Sequence, residues 1–577
     1  MFPDRCEING VFSDYLEIIT KRQLLDRELW KKCVEVFSSG IDDNDRGWRG
    51  EYWGKMMRGA CLVYRVTRNE ELYSVLTGAV EGLLSKQEPS GRISTYSVEK
   101  EFYGWDLWAR KYVMTGLEHY LDVCRDEELK KRILKALCAH ADYITGHIGE
   151  NKIPILETGL IWGSVNSASI LEPFVRLYND TKNEEYLSFA KYIISTGGCS
   201  DGNLIDCVFE GKAPFEFPEQ KAYETMSFFE GLLAYYETTG EKYLLDAVIK
   251  FVDRLLETDF TAIGSCGCTH ELFDNSSLRQ TEPSEKIMQE TCVTVTLMRL
   301  LSRLFAVTGD KKLFDAIRKS ALNALAGALN VNGYKQYSGE KKEYLPGMLF
   351  DSYSPVCGGA RGKGIGGFKQ FADGTYFGCC ACIASAGFAL YPLMCVTENN
   401  NEIRVNDAQE GEYVFLVPEG EIRLLISPTE ITVSAPEEKM FTLCVSVGIP
   451  SKKVFCLKNG EEGLIQGGYA FFTNVRNSDR ISLKTENRLV EESINGKLSL
   501  SYAGFTLAVD ESKTDAYVPG EKTVFEKDEN GRVLLERLPA GKGEQLRFSA
   551  RTDRGEILLT DYASAGQDGS SRVSVWF

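Results

Sequence analysis

The feature that most limits how this chain can fold is a turn that recurs. Tyr64-Arg65-Val66-Thr67-Arg68-Asn69-Glu70 is echoed by Leu121-Asp122-Val123-Cys124-Arg125-Asp126-Glu127 and by Tyr178-Asn179-Asp180-Thr181-Lys182-Asn183-Glu184. It returns as Tyr236-Glu237-Thr238-Thr239-Gly240-Glu241 and as Phe305-Ala306-Val307-Thr308-Gly309-Asp310. Each copy reads as the end of one helix, a short polar turn and the start of another. Counted at Thr67, Cys124, Thr181, Thr239 and Thr308, the separations are 57, 57, 58 and 69 residues. A fixed period signals stacked helical pairs, and this one exceeds the roughly 34 residues of a tetratricopeptide unit, so each repeat should hold two longer helices and a substantial loop. Amphipathic segments are expected near 15–37, 51–67, 70–86, 107–123, 126–146, 162–180, 183–196, 221–239, 241–257, 286–307, 310–328 and 383–396. Leu129, Ile133, Leu134 and Leu137 illustrate the helical spacing. Six hairpins of this kind close into an (α/α)6 toroid, which removes the exposed ends that an open solenoid must cap.

The repeat is interrupted twice. The fourth separation is longer than its neighbours, and the excess falls between Thr258 and Ser284, a stretch holding Cys266, Cys268, His270, Glu271 and Asp274. The next turn would fall near residue 365, where the helical pattern breaks in a glycine-rich run from Cys357 to Gly367. Irregular loops this long inside a compact domain are usually functional or disordered, so both interruptions are expected at one rim of the toroid, carrying the chemistry. The run is not a phosphate loop. The template G-x-x-x-x-G-K-[ST] on Gly362-Lys363 needs glycine where Cys357 stands and Ser or Thr where Gly364 stands. Its glycines instead let the backbone pass close to a ligand or helix.

After about residue 397 short alternating or apolar runs take over, such as Tyr413-Val414-Phe415-Leu416-Val417 and Glu421 to Ile426, with Gly, Pro and Asn at the turns. Many short strands read as one or two antiparallel β-sandwiches. The expected organisation is an (α/α)6 barrel over 1–396 and a β-sandwich region over 397–577. That region is expected either to brace the barrel or to serve homodimer contacts. A formal net charge of −17 argues against nucleic acid or an anionic membrane as partner. An odd, scattered set of 17 cysteines fits reduced thiols better than a disulfide framework. The start Met1-Phe2-Pro3-Asp4-Arg5 lacks a basic segment followed by an apolar one. A cytoplasmic protein is the expectation.

The candidate chemistry centres on Gly378-Cys379-Cys380-Ala381-Cys382. Adjacent Cys379 and Cys380 offer two thiolates to one ion, and Glu290-Thr291-Cys292 can add a carboxylate and a third. Three sulfurs and one carboxylate suit four-coordinate Zn²⁺. None of the spacings is that of a zinc finger, and buried apolar cysteines are the alternative reading. Cys382, three residues past Cys379, could compete for metal. Cys266 and Cys268 could hold a second ion or simply fill core. Trp105, Asp106, Trp108, Arg110, Lys111 and Tyr112 combine aromatic faces with charge, as sugar sites do. Trp105, Trp108 and Tyr112 share one helical face and read equally as core; Trp105 and Asp106 are kept as candidate binding residues.

With these motifs the chain resembles glycoside hydrolase family 127, the bacterial β-L-arabinofuranosidases and their relatives. The resemblance rests on Glu290-Thr291-Cys292, on Cys379-Cys380 after a glycine-rich approach, on Gly104-Trp105-Asp106-Leu107-Trp108 and on Gly264-Ser265 through His270-Glu271. It covers most of the first two thirds of the chain. It implies an (α/α)6 barrel followed by β-sandwich material, zinc held by Glu290, Cys292, Cys379 and Cys380, and a retaining glycosidase. Cys379 would be the nucleophile and Glu271 the acid/base, with His270 a candidate substrate contact. Asp274, Glu282 and Glu285 share the loop as competing carboxylates. The continuation Ala381-Cys382-Ile383 departs from the family's Pro-x-Asn. Only His119, His140, His147 and His270 are present, and Arg318 through Asn323 replaces a Glu expected before Tyr-Asn. The resemblance therefore carries the metal and nucleophile further than the sugar-binding shell and does not fix L-arabinofuranose; small glycosides or oligosaccharides delivered by a transporter are expected from the cytoplasmic placement. The rival readings are an (α/α)6 lyase or inverting hydrolase with a structural zinc, and a non-catalytic carbohydrate-binding protein.

Overall fold

The recurring turn has a simple stereochemical origin. Arg68, Lys182, Gly240 and Gly309 end their helices in the left-handed conformation, with φ of 49°, 56°, 77° and 66°. Their amides return to the carbonyls of Tyr64, Tyr178, Tyr236 and Phe305, which satisfies carbonyls that a helix end would otherwise leave bare. The next residue then caps the following helix: Asn69, Asn183 and Asp310 accept first-turn amides through their side chains, as does Asp126 in the second copy. The glutamates after Asn69, Asp126 and Asn183 sit in the first turn, where the helix dipole favours them.

A computed structural model describes residues 2–577 except 160, 332–347, 362–366 and 570. Six helices, Gly50–Thr67, Asp106–Leu121, Leu171–Thr181, Ala222–Thr239, Thr291–Thr308 and Cys379–Cys395, pack each on the next, and the sixth returns to the first. This is the inner ring of the toroid. The outer layer includes Glu70–Leu84, Glu127–His147, Glu184–Ser195, Lys242–Thr258 and Lys311–Ser320. The inner helices are buried on nearly every side. Glu51, Lys55 and Arg58 recur at helical spacing and are buried, with Arg65 continuing the stripe, so the polar face of this helix points inward. Gly54 permits the tightest approach in the ring: a Cβ there would lie 1.8 Å from the carbonyl oxygen of Tyr112. Thr291–Thr308 is long and apolar enough to cross a membrane by length and composition, and it is an inner helix of this ring.

Several expected segments shift. The one expected over 15–37 is two helices. Val11–Ile19 runs on through a π turn to Leu24, and Arg27–Glu35 begins anew because the Asp26 carboxylate accepts the Glu28 and Leu29 amides. The helix expected from 162 comes in pieces: Trp162, Gly163 and Ser164 are left-handed, Val165–Ala168 is one short helical turn, and the longer helix begins at Leu171. The helix expected from 286 begins at Thr291, after a strand Met288–Glu290. That expected from 383 begins four residues earlier, at Cys379.

Helix gives way to strand at Val396. Two sheets, of eight and five strands, follow, and their buried residues join the toroid's own apolar cluster. The strand Arg5–Ile8 belongs to the first of them, pairing with Val414–Gly411. A third, eight-stranded sheet within 489–574 has its own cluster around Leu500, Leu507, Phe548 and Leu559, and it also takes in Cys357–Ala360. It braces the rim loops. Thr506 Oγ1 donates to Ala262 O at 2.7 Å, Lys497 Nζ to Thr281 O at 2.7 Å and Tyr562 OH to Pro355 O at 2.7 Å.

Candidate active site and metal centre

The two interruptions of the repeat meet. Met288–Glu290 pairs with Tyr353–Pro355, which sets Glu290 opposite Tyr353. The Thr291 amide donates to Ser352 O at 2.9 Å, and the Thr291 hydroxyl to Asp351 O at 2.6 Å. Phe368–Gln370 pairs with Tyr376–Gly378 and delivers the chain to Cys379, whose amide donates to Gly367 O at 2.9 Å. Gly367 has φ of 75°, and a Cβ there would lie 3.0 Å from Cys379 Sγ. The glycine approach thus brings backbone against the Cys379 sulfur, although residues 362–366 of the run lie outside the described residues.

Glu290 is the residue just before one inner helix, Cys292 lies in the first turn of that helix, and Cys379 and Cys380 open another. First-turn amides lack intrahelical partners and carry the positive end of the helix dipole, which favours thiolates. The four ligand atoms lie within 4.8 Å of one another. Cys292 Sγ is 3.3 Å from Cys380 Sγ, Cys380 Sγ is 3.9 Å from Cys379 Sγ and 3.4 Å from Glu290 Oε1. Zn–S bonds of about 2.3 Å in a tetrahedron imply sulfurs ~3.8 Å apart, so the set fits one zinc with shifts of a few tenths of an ångström. Glu290 Oε2 is buried with no hydrogen-bond partner, which also suits a donor set made for a cation. Cys292, Cys380 and Glu290 are 0%, 1% and 4% exposed, while Cys379 is 8% exposed and the least covered of the four.

Electrostatics separate the four further. Hydrogen bonds from Cys292 and Cys380 hold the Cys379 thiol well below its ordinary range against the effect of burial, and Lys55 and Lys221 add to this. Burial pushes Cys292 and Cys380 up. Burial, reinforced by the nearby Glu271 charge, pushes Glu290 well above the carboxylate range.

Glu271 stands beside this cluster. It and His270 are left-handed, with φ of 66° and 52°, and its carbonyl accepts the Ala222 amide at 3.0 Å. Its carboxylate accepts from the Tyr353 hydroxyl through one oxygen and from the Lys221 ammonium through the other. Tyr353 is the residue opposite Glu290, so one strand pair links the Glu271 carboxylate to the cluster. Among the competing carboxylates, Asp274 accepts from Ser276 and pairs with Arg279, while Glu282 and Glu285 are exposed. His270 is exposed next to Glu271. Trp105 is half-buried, its ring 6.0 Å from Trp48 and 5.8 Å from Trp108. Asp106 is fully buried and accepts from Ser94, the Phe102 amide and Arg110, an internal network at the start of its helix. Cys382 donates to Gly378 O at 3.2 Å, and Cys266 and Cys268 are buried, Cys268 accepting from Gln289 at 3.0 Å. All 17 cysteines are unpaired.

Sequence reading did not single out the cations of the site. Lys55 is 1% exposed, with Nζ 3.8 Å from Cys292 Sγ and 3.0 Å from Glu51 Oε1. The rings of Tyr223, Tyr112 and Trp108 lie 4.6, 5.2 and 5.7 Å from it. Lys221 holds Glu271 and lies 5.2 Å from the Trp162 ring. The available signal was a charge stripe on a helix too apolar elsewhere to face solvent.

The family model described as "Beta-L-arabinofuranosidase, GH127 catalytic domain" matches residues 17–338. A GH127 β-arabinofuranosidase structure superposes with a TM-score of 0.72 at 15% identity, over 100% of this chain and 97% of that one. A GH127 β-L-arabinofuranosidase from Geobacillus stearothermophilus T6 gives 0.70 at 16% identity, over 99% of each chain. A third structure, described as a glycoside hydrolase, gives 0.68 at 15% identity, over 99% of this chain and 95% of that one. At these identities the superpositions speak for the fold: a helical toroid followed by a β-rich region. No curated protein sequence matches.

Proposed function

The chain belongs to glycoside hydrolase family 127, and from that premise we propose that it hydrolyses small glycosides with retention, Cys379 acting as nucleophile and Glu271 as acid/base. One observation carries this reading: Glu290, Cys292, Cys379 and Cys380 converge at two helix starts, with the least covered thiol beside a carboxylate held by Tyr353 and Lys221. Zn²⁺ held by Glu290, Cys292, Cys379 and Cys380 would supply removal of the thiol proton, so that sulfur meets substrate as thiolate. The Cys379 sulfur bonds to the anomeric carbon as the bond to the leaving oxygen breaks, and Glu271, which enters this step as the protonated carboxylic acid, gives that oxygen its proton. Glu271 then takes a proton from water, whose oxygen displaces the sulfur and regenerates the thiolate. Lys221 and Tyr353, each in contact with one Glu271 oxygen, orient its carboxyl group. We further propose a cytoplasmic site of action, which suits 17 unpaired thiols.

β-L-Arabinofuranosides head the substrate panel because of the family, joined by aryl glycosides of other pentoses and hexoses. Proton NMR of the first-formed sugar should show the anomer of the substrate. Initial formation of the opposite anomer would overturn the nucleophile assignment and favour an inverting hydrolase with a structural zinc.

A further inference from the structure

The lumen of the toroid continues beyond the cysteine cluster. Seven residues on from Cys379 and from Cys292, about 10 Å along the helices, Ala386 and Arg299 line a cavity of about 240 Å³. Its wall carries Arg58, Arg65, Arg176, Arg299 and Arg303 against Asp122 and Glu172. In a chain of net charge −17, five arginines gathered around one cavity stand out. Three of its arginines have carboxylate partners. Arg176 reaches Glu118 at 3.2 Å and Asp122 at 3.3 Å, Arg299 bridges Glu172 and Glu230, and Arg303 reaches Glu172 at 3.1 Å.

Arg58 is different. It is 2% exposed, its Nε and Nη2 are buried without hydrogen-bond partners, and among the described residues it forms no ion pair. A buried guanidinium is tolerated when its donors and charge are met. Its planar fork matches the oxygens of a phosphate or carboxylate. We propose that this cavity is a binding site for a small phosphate-type oxyanion, anchored by Arg58 and supported by Arg65. It lies on the lumen side away from the rim loops that carry Glu271, and it owes nothing to the sugar chemistry.

The test uses the zinc-loaded full chain with inorganic phosphate and with a hexose 6-phosphate, by calorimetry and thermal denaturation at constant ionic strength, chloride serving as the control. Phosphate should bind saturably and raise the midpoint, chloride should not, and Arg58→Met should abolish the effect. Arg65→Gln should weaken binding about tenfold. Without phosphate, Arg58→Met should be at least as stable as the wild type, because it removes a buried charge that has no ion pair among the described residues and only the Tyr112 ring, 5.8 Å away, against it. Tighter binding of the hexose phosphate would make the occupant an organic phosphate; equal or weaker binding would make it the inorganic ion. Chloride matching phosphate, or both variants binding like the wild type, overturns the proposal. If Arg58→Met does not fold, Arg65→Gln decides alone.

Discussion

Replacing Lys55 by methionine tests the electrostatic design of the proposed metal centre. Three thiolates and a carboxylate bring four negative charges, of which a dication cancels two. Lys55 Nζ, 3.8 Å from Cys292 Sγ, is placed to offset a third. Opposite unit charges about 4 Å apart attract by ~4 kcal/mol at an effective dielectric near 20. Glu51, 3.0 Å from the same ammonium, shares that charge, so roughly half is available to the sulfurs. About 2 kcal/mol corresponds to ~30-fold in zinc affinity, inside the roughly 10–100-fold range of outer-shell substitutions. The variant should fold, because burial already pushes the Glu51 carboxyl up to about 7, and it can take a proton when its cation is removed. Competition against a chromophoric chelator reads the dissociation constant directly, and the sulfur-to-cobalt band of the cobalt-substituted protein reads the thiolates. Lys55→Met should bind zinc about 30-fold more weakly, with Lys55→Arg in between. A Lys55→Met affinity within threefold of the wild type would refute the reasoning.

Three further outcomes follow from the structure. Gly54→Ala would press a methyl against the Tyr112 carbonyl at 1.8 Å; backbone cannot yield cheaply, so chemical denaturation should show a loss of about 3 kcal/mol. Burial, outweighing Glu230 and Glu172, lowers Lys111 to about 7 from 10.5. The unfolded chain therefore binds the extra proton between those values, and stability rises with pH across that window. Lys111→Met should stabilise most near pH 6, by a few kcal/mol, with the advantage fading towards pH 10 in denaturant titrations. Glu271→Gln should keep about one zinc per chain by elemental analysis while losing roughly 10²–10⁴-fold in hydrolysis of glycosides with poor leaving groups, activated aryl glycosides being spared in the first step.

The helical hairpins were legible because their turns are local chemistry: a left-handed residue followed by Asn or Asp writes itself into sequence at Arg68-Asn69 and Lys182-Asn183. The break at Asp26 was written just as locally, yet apolar periodicity on both sides masked it. The first strand could not be read, since Arg5–Ile8 is defined only by partners some 400 residues away. Likewise the β region is bound to the rim by contacts such as Thr506 to Ala262, which leave no trace in spacing. At the site, the cysteines and Glu290 announced themselves as rare residue types in close sequence pairs. Lys55 and Lys221 did not. A lysine on an apolar helix ordinarily reads as a snorkelling surface residue, and only closure of the ring turns its face inward.

The sulfur of Cys379 decides the mechanism. A mechanism-based inhibitor reacting at the anomeric carbon, chosen from whichever glycoside the panel finds to be turned over, should become covalently attached to the zinc-loaded protein. Mass spectrometry of the digest should place the label on Cys379, and Cys379→Ala should lose both label and turnover. A label on Glu271 or another carboxylate, with Cys379→Ala still hydrolysing substrate, would contradict the account.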